Sequence, residues 1–150
     1  MTFEEELEQH GGFLYTSKGC SMRPLIRPER DVLEISARQT SPIRKYDVVL
    51  FRNGGRFILH RVMRVYSEAG RLVYDMLGDH NTRMERGVKD EQILGTLTGL
   101  VRDGKNRMDF HSLPYRAYLL LWCRLYPIRI AVLWLINMTK ALCRKCWRRG

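Results

Sequence analysis

The sequence has no acidic residue after Asp109, and this absence divides the chain into two parts. Residues 115–150 hold eight Lys or Arg and no acid, so only +2 of the net charge of +10 belongs to residues 1–114. A nearly neutral body excludes the broad basic surface of a nucleic-acid-binding protein. The basic residues at the C-terminus lie among Leu, Ile, Trp and Tyr, a composition typical of a membrane-surface segment. We therefore expect a membrane contact through residues 115–150 and no nucleic-acid partner.

Cysteine is scarce, and its placement does not indicate a disulfide framework. Of the four cysteines, Cys20 stands alone in the body, and the others are Cys123, Cys143 and Cys146. Cys143-x-x-Cys146 has the spacing of half a zinc site, but no second Cys or His pair completes it. We expect neither a metal ion nor an organic cofactor.

Long uninterrupted apolar runs are also missing. Met1 to His10 is acidic and compatible with a helix, and it has neither the basic nor the apolar region of a signal peptide. Residues 117–139 are largely apolar, but Arg124, Pro127 and Arg129 interrupt them. An arginine at the centre of a spanning helix costs about 2.5–3.5 kcal/mol on insertion scales. Two amphipathic helices in the membrane interface are therefore favoured over one span, and a helix packed on the body or on a partner subunit is the alternative.

Short strands bounded by Gly, Pro or Asn turns fill residues 13–111. Asn53-Gly54-Gly55 is a good hairpin turn. The pattern predicts an all-β domain, a partly closed, barrel-like sheet over residues 1–114, with an amphipathic helical tail over 115–150. The predicted strands cover residues 13–16, 31–36, 47–52, 56–66, 71–77, 93–101 and 106–111.

One serine has the setting of a nucleophile. Ser21 follows the first strand and lies two residues after Gly19, which lets a substrate carbonyl approach the backbone closely. Pro24 restricts the chain on the other side. The backbone N–H of Ser21, with a second donor near Gly19, would meet a developing oxyanion. Cys20 is a less favoured rival nucleophile.

A histidine and a carboxylate follow in the order that a catalytic triad needs. His60 lies inside a strand, and Asp79 follows another strand on a glycine turn. Structural explanations remain open, since His60 could be a core histidine and Asp79 an Asx-turn residue. Glu85 and Asp90 are alternative third acids. Arg61 is interpreted as a structural ion-pair residue.

These stretches together resemble the signal peptidase I family and its relatives, which include the LexA-type autoproteases. The resemblance covers residues 13–100, and the histidine is similar to that of the archaeal, endoplasmic-reticulum and spore-former variant. The family usually has Gly-Asp where this chain has Tyr46-Asp47. The matching segments are Gly19-x-Ser21-Met22-x-Pro24, Asp47-Val48-Val49-Leu50-Phe51, His60-Arg61-Val62 and Gly78-Asp79-x-Asn81.

The resemblance implies a LexA- or signal-peptidase-type fold and a serine endopeptidase that uses Ser21, His60 and Asp79. Its substrate would be a signal or leader peptide in a precursor protein, bound by strand addition with small residues before the cut. We expect the enzyme on the cytoplasmic face of the membrane, with anchoring that places the catalytic domain outside as the alternative. Two other functions remain open: a non-catalytic peptide-binding module, and a LexA-like self-cleaving regulator, for which 20 residues before Ser21 leave no room for a DNA-binding domain.

Overall fold

The computed structural model of the protein describes residues 3–38, 42–132, 134–135 and 138. Its main element is an antiparallel sheet that curls into a half-barrel, with helices near both ends. This confirms the prediction of a mostly β protein with a C-terminal helix. The strands are β1 (Gly12–Thr16), β2 (Asp31–Ala37), β3 (Val48–Asn53), β4 (Arg56–Glu68), β5 (Arg71–Leu77), β6 (Glu85–Lys89), β7 (Ile93–Arg102) and β8 (Asn106–Arg107). The helices are α1 (Phe3–His10), a 3-10 turn (Asp90–Gln92), α2 (Leu113–Tyr118) and a π-helix (Leu119–Arg124).

The strands are hydrogen-bonded in the order β1-β2-β7-β3-β4-β5-β6, with β8 added to β7. The hairpin predicted at Asn53-Gly54-Gly55 joins β3 to β4, and both glycines have positive φ, as a tight turn with the right twist requires. Strands β1 and β6 end the order, so each presents one edge that no described strand covers. The segment that carries Ser21 follows the first of these edge strands.

Strand β3 separates two apolar clusters because alternate side chains of a strand point to opposite sides. Val48 and Leu50 join the first cluster, whereas Val49 and Phe51 join the second. All four are nearly inaccessible to solvent. A strand buried on both sides reads as a continuous apolar run, which is how residues 48–51 appear in the sequence.

The segment between β1 and β2 is anchored in the first cluster although it contains no regular element. Met22, Leu25 and Ile26 are buried there. Arg102 of β7 donates a hydrogen bond from Nη2 to the Leu25 carbonyl oxygen at 2.7 Å. The half-exposed Ser21 therefore lies at the start of a segment held by both apolar and polar contacts.

The C-terminal helical segment, residues 113–132, begins with a capped turn. Ser112 accepts a hydrogen bond from the Tyr115 N–H, and Pro114 occupies the first turn, where its missing N–H costs nothing. The helix is interrupted at Leu125, close to Pro127, and the chain is helical again over 126–132. Among the described residues, no helix has both the length and the apolar character needed to cross a bilayer.

Three predictions need comment. The strand expected at 106–111 extends over Asn106–Arg107 alone, because Asp109 instead forms a turn with Ser112. Strand β6 was not expected. Cys143-x-x-Cys146 and the basic residues from Lys140 onward lie outside the described residues.

Candidate active site

His60 and Arg61 are consecutive residues of β4, and their side chains point to opposite sides of the strand. The His60 side chain lies on the side of the second apolar cluster, and its ring centroid is 6.2 Å from that of Phe51. Arg61 faces the C-terminal helical segment, where Nη1 donates to the Tyr115 hydroxyl at 3.2 Å. Both side chains are buried, so each needs a polar partner.

The partner of His60 is Glu85, the first residue of β6. His60 Nδ1 lies 3.0 Å from Glu85 Oε2. An ionised carboxylate only accepts hydrogen bonds, so this contact places the ring proton on Nδ1 and leaves the lone pair on Nε2. Asn81 Nδ2 lies 3.4 Å from Nε2, as a donor to that lone pair would. The ring is therefore oriented as a general base requires.

Asp79, to which the sequence analysis gave the orienting role, lies elsewhere. Its two oxygens accept from Arg61 Nε at 2.8 Å and from Nη2 at 2.7 Å. The Tyr118 hydroxyl donates a hydrogen bond to Asp79 Oδ2 at 2.8 Å, and the Trp122 indole N–H donates to the Asp79 carbonyl oxygen at 2.9 Å. With its carboxylate occupied in this way, Asp79 holds the loop between β5 and β6 rather than the His60 ring.

Asp90, the other alternative acid, is also engaged away from His60. Arg38 Nη1 lies 2.6 Å from Asp90 Oδ2, and the Tyr74 hydroxyl donates to Oδ1 at 2.8 Å. Of the three carboxylates considered from the sequence, Glu85 is the one hydrogen-bonded to the histidine.

The backbone of Ser21 lies against the same loop. The His80 N–H donates to the Ser21 carbonyl oxygen at 2.7 Å. A methyl group on Gly78 would lie 2.7 Å from that oxygen and 2.9 Å from His60 Nε2. Since both atoms are so close to one point, the Ser21 carbonyl and the reactive nitrogen of His60 are neighbours, and only glycine fits between them.

The Ser21 side chain and N–H are free within the described part of the chain. No hydrogen bond there joins Ser21 Oγ to His60, and the Ser21 N–H has no acceptor. The Gly19 N–H, a candidate second oxyanion donor, bonds instead to Ser17 Oγ at 3.2 Å. The Ser21 carbonyl oxygen, the His60 ring and Glu85 thus lie near one another, while no hydrogen bond among the described residues joins the serine hydroxyl to the histidine.

The electrostatics of the two neighbouring pairs differ. Burial lowers the pKa of His60 below its usual value, although the charge and hydrogen bond of Glu85 act in the opposite direction. Burial also acts to lower the pKa of Arg61, but its hydrogen bonds with Asp79 prevail and raise that pKa well above the usual value. His60 is therefore a neutral base near pH 7, whereas Arg61 stays charged.

The structure does not contain a metal-ligand cluster within the residues it describes. Cys20, the rival nucleophile, is exposed, and Cys123 is buried beside Arg61. Burial raises the pKa of the Cys123 thiol to about 11, which keeps it protonated and unreactive.

No model of a known protein family and no curated protein matches this chain. Its function is therefore argued from the site itself. The residues that sequence reasoning missed are Asn81, Tyr118 and Trp122. Asn81 belonged to the Gly-Asp-x-Asn pattern and was therefore visible, but the two aromatic residues lie in a segment that was interpreted only as a membrane contact.

Proposed function

We propose that the protein is a membrane-associated serine endopeptidase of the signal-peptidase kind. Ser21 is the nucleophile, His60 the general base and Glu85 the acid that orients His60. The observation that carries the proposal is the His60 ring, held by Glu85 at Nδ1 and turned with Nε2 toward the Ser21 segment. A fold similar to that of the LexA and signal peptidase enzymes is part of the proposal.

In the proposed reaction, Ser21 Oγ attacks a peptide carbonyl while Nε2 takes the hydroxyl proton. A rotation of the Ser21 side chain brings Oγ to Nε2 in place of Asn81 Nδ2. Hydrogen bonds between a nucleophile and its base commonly tighten only when substrate binds. The imidazolium is stabilised by Glu85 and gives its proton to the leaving amine. Water then attacks the acyl-enzyme, with His60 again as base.

The oxyanion is proposed to bind the Ser21 N–H, which is free among the described residues. Substrate binding at the edge of β1 is favoured by geometry. This strand ends five residues before Ser21, no described strand pairs with one of its edges, and the Leu14 side chain is exposed. An extended peptide that adds to β1 would run toward the nucleophile. We propose a signal or leader peptide of a precursor protein as the substrate.

Membrane association is proposed for the C-terminal helical segment and the residues after it. Large apolar side chains are exposed there, among them Leu113, Leu121 and Ile128, which are 77%, 62% and 61% exposed. The chain from residue 115 onward is basic and contains no acid, and this charge favours contact with anionic lipid. The basic character favours the cytoplasmic face.

The test uses single variants with matched controls. Ser21→Ala and His60→Ala should reduce cleavage of extended peptides with small residues, read by mass spectrometry, by at least about 10³-fold, because both act in the same proton transfer. Ser67→Ala, on an exposed part of β4, and His80→Ala, an exposed histidine, should retain normal activity. Thermal unfolding checks that every variant is folded. Normal turnover by Ser21→Ala and His60→Ala would overturn the mechanism.

The second candidate is a peptide-binding module without catalysis, favoured by the occupation of Nε2 by Asn81. It predicts peptide binding to the wild-type protein without cleavage, and unchanged binding by Ser21→Ala. Intact-mass measurement of the protein alone tests the self-cleaving alternative, for which Ala69-Gly70 in the exposed turn between β4 and β5 is the pair to examine.

A further inference from the structure

A cavity of about 670 Å³ lies between the sheet and the C-terminal helical segment, apart from Ser21 and His60. The loop before β3, strands β4 to β6 and residues 123–126 contribute to its wall. Arg86 lines it, and Glu85, the preceding residue of β6, contacts His60. Because consecutive side chains of a strand point to opposite sides, the cavity lies behind the active site.

The charges on this wall are unbalanced. Lys45, Arg64, Arg86 and Arg124 line the cavity together with one carboxylate, Asp75. Asp75 Oδ1 instead accepts from the Tyr66 hydroxyl and the Gly87 N–H, each at 3.3 Å. Within the described residues, none of the four cations forms an ion pair.

Four like charges around one concave wall repel one another, and an anion in the cavity would relieve this repulsion. Three of them are arginines, whose planar guanidinium groups match the oxygens of a phosphate. Tyr46 and Tyr66 lie beneath two of the cations, with Lys45 Nζ 5.0 Å and Arg64 Cζ 5.3 Å from the respective ring centroids. These ring contacts hold the two cations at the wall.

A second cavity, of about 510 Å³, continues from the first and shares Lys45, Tyr46 and Arg124 with it. It adds one further cation, Arg116, and the apolar side chains of Leu119 and Leu120. A ligand that spans both cavities would therefore meet cations at one end and apolar side chains at the other. Free inorganic phosphate would contact only the cations and leave the apolar side chains without a partner.

We propose that the paired cavities bind the phosphate headgroup of an anionic phospholipid, with the upper part of an acyl chain along Leu119 and Leu120. The site lies beside the exposed apolar face of the C-terminal helical segment, from which a lipid would enter. The proposal does not depend on peptidase activity. It adds to general membrane attraction a specific lipid site built by the β domain and the helical segment together.

The test compares two pairs of substitutions that remove the same charge from the full chain. Arg64→Gln with Arg86→Gln removes two cations of the cavity, and Arg56→Gln with Lys105→Gln removes two exposed cations that line neither cavity. Co-sedimentation measures binding to vesicles of phosphatidylcholine alone and of phosphatidylcholine mixed with phosphatidylglycerol. We expect the cavity pair to lose roughly tenfold or more of its affinity for the anionic vesicles, and the control pair to lose much less.

A further double variant, Arg64→Lys with Arg86→Lys, should restore part of the binding, and thermal unfolding should show all variants folded. Equal losses in both pairs would mean that general electrostatic attraction is sufficient, which overturns the proposal. Unchanged binding by the cavity pair also overturns it. Inorganic phosphate is added to the wild-type protein as the other source of the same chemistry. If it raises the melting temperature of the wild-type protein but not of the cavity pair, while vesicle binding is the same in both, the ligand is free phosphate and the lipid proposal is wrong.

Discussion

His60 and Arg61 are neighbours on one strand, and each has a carboxylate partner, Glu85 at the start of β6 and Asp79 in the loop before it, yet the two pairs behave differently. The His60–Glu85 pair reaches solvent through Glu85, whose side chain is 29% exposed, whereas Arg61 and Asp79 are 0% and 2% exposed. The first pair contains a titratable imidazole, whose pKa burial lowers below its usual value. The second contains a guanidinium that remains charged at every physiological pH.

The comparison shows how one strand can carry a titratable side chain and a permanently charged one on opposite sides. Alternation places the titratable residue on the side of the Ser21 turn and the permanent cation on the side of the helical segment. Arg61 then holds Asp79, and Asp79 is joined to the helical segment by Tyr118 and Trp122. The loop that leads to Glu85 is thus joined to the helical segment through the Arg61–Asp79 ion pair, which makes no contact with the His60 ring among the described residues.

The largest expected effect comes from breaking the buried pair. Arg61→Ala leaves the Asp79 carboxylate buried without its cation, and we expect the free energy of unfolding to fall by about 3–5 kcal/mol. Arg61→Lys keeps the charge but loses the bidentate contact, so its loss should be smaller. Urea denaturation measures both. His60→Gln is the matched control on the same strand; a loss as large as that of Arg61→Ala would contradict the distinction between the pairs.

The next effect concerns the exposed pair. Glu85→Gln should reduce kcat/KM for a cleaved peptide between about 10-fold and 10⁴-fold, since the amide no longer favours the proton on Nδ1. Glu85 acts to raise the pKa of His60, so its removal should lower that pKa further and move the acid limb of the rate profile to lower pH. The free energy of unfolding of Glu85→Gln should differ little from that of the wild-type protein.

The control for this experiment is Glu91→Gln, an exposed carboxylate near the end of β6. It should leave the rate and the pH profile unchanged. If Asp79→Asn shifts the acid limb in a folded protein and Glu85→Gln does not, then Asp79 is the orienting acid after all.

The smallest effect is expected where the helical segment meets the loop. Burial and the Asp79 carboxylate raise the pKa of Tyr118, whose hydroxyl remains a donor at all pH values used. Tyr118→Phe removes this hydrogen bond to a charged group and should cost about 1.5–3 kcal/mol in chemical denaturation. Tyr126→Phe, on the same segment, removes a hydroxyl that has no hydrogen bond among the described residues, and it should be nearly neutral. If Tyr118→Phe costs as little free energy of unfolding as Tyr126→Phe, the hydroxyl of Tyr118 does not stabilise the protein and its ring alone does.

Much of the sheet could be predicted from the sequence because its strands are apolar and end at turn residues. Strand β5 begins and ends where the pattern placed it, at Arg71 and Leu77. Strand β6 could not be found in this way. Its five residues include three charged side chains and Gly87, which has a positive φ, so they show neither alternation nor β-propensity.

The residues of the proposed site could be named from the sequence, but the carboxylate that contacts His60 could not be chosen among three candidates. The order of Ser21, His60 and a following carboxylate is visible in the chain, and Glu85 was among the candidates. The choice depends on where Arg61 points, because that cation occupies Asp79 and leaves Glu85 for the histidine. Such pairing across 18 residues is set by the sheet register, which local patterns do not determine.

Tyr46 shows a similar limit of sequence reasoning. It occupies the position where the resemblance stated from the sequence predicts glycine, and it has the positive φ of +78° that glycine favours. The conformation is held from both sides, since the Tyr46 N–H donates to the Val62 carbonyl at 2.7 Å and its carbonyl accepts from Arg61 Nη1 at 2.8 Å. The turn before β3 therefore keeps its shape without the glycine.

The adjacency of His60 and Arg61 also bears on how faithfully the chain folds. If β4 slipped by one residue against β3 and β5, the imidazole and the guanidinium would exchange sides. Arg61 would then be buried without Asp79, and a buried unpaired cation is among the most costly defects in a protein. The same ion pair that supports the loop therefore penalises misregistered sheets, and the side of the strand on which His60 lies is set in part by its neighbour Arg61.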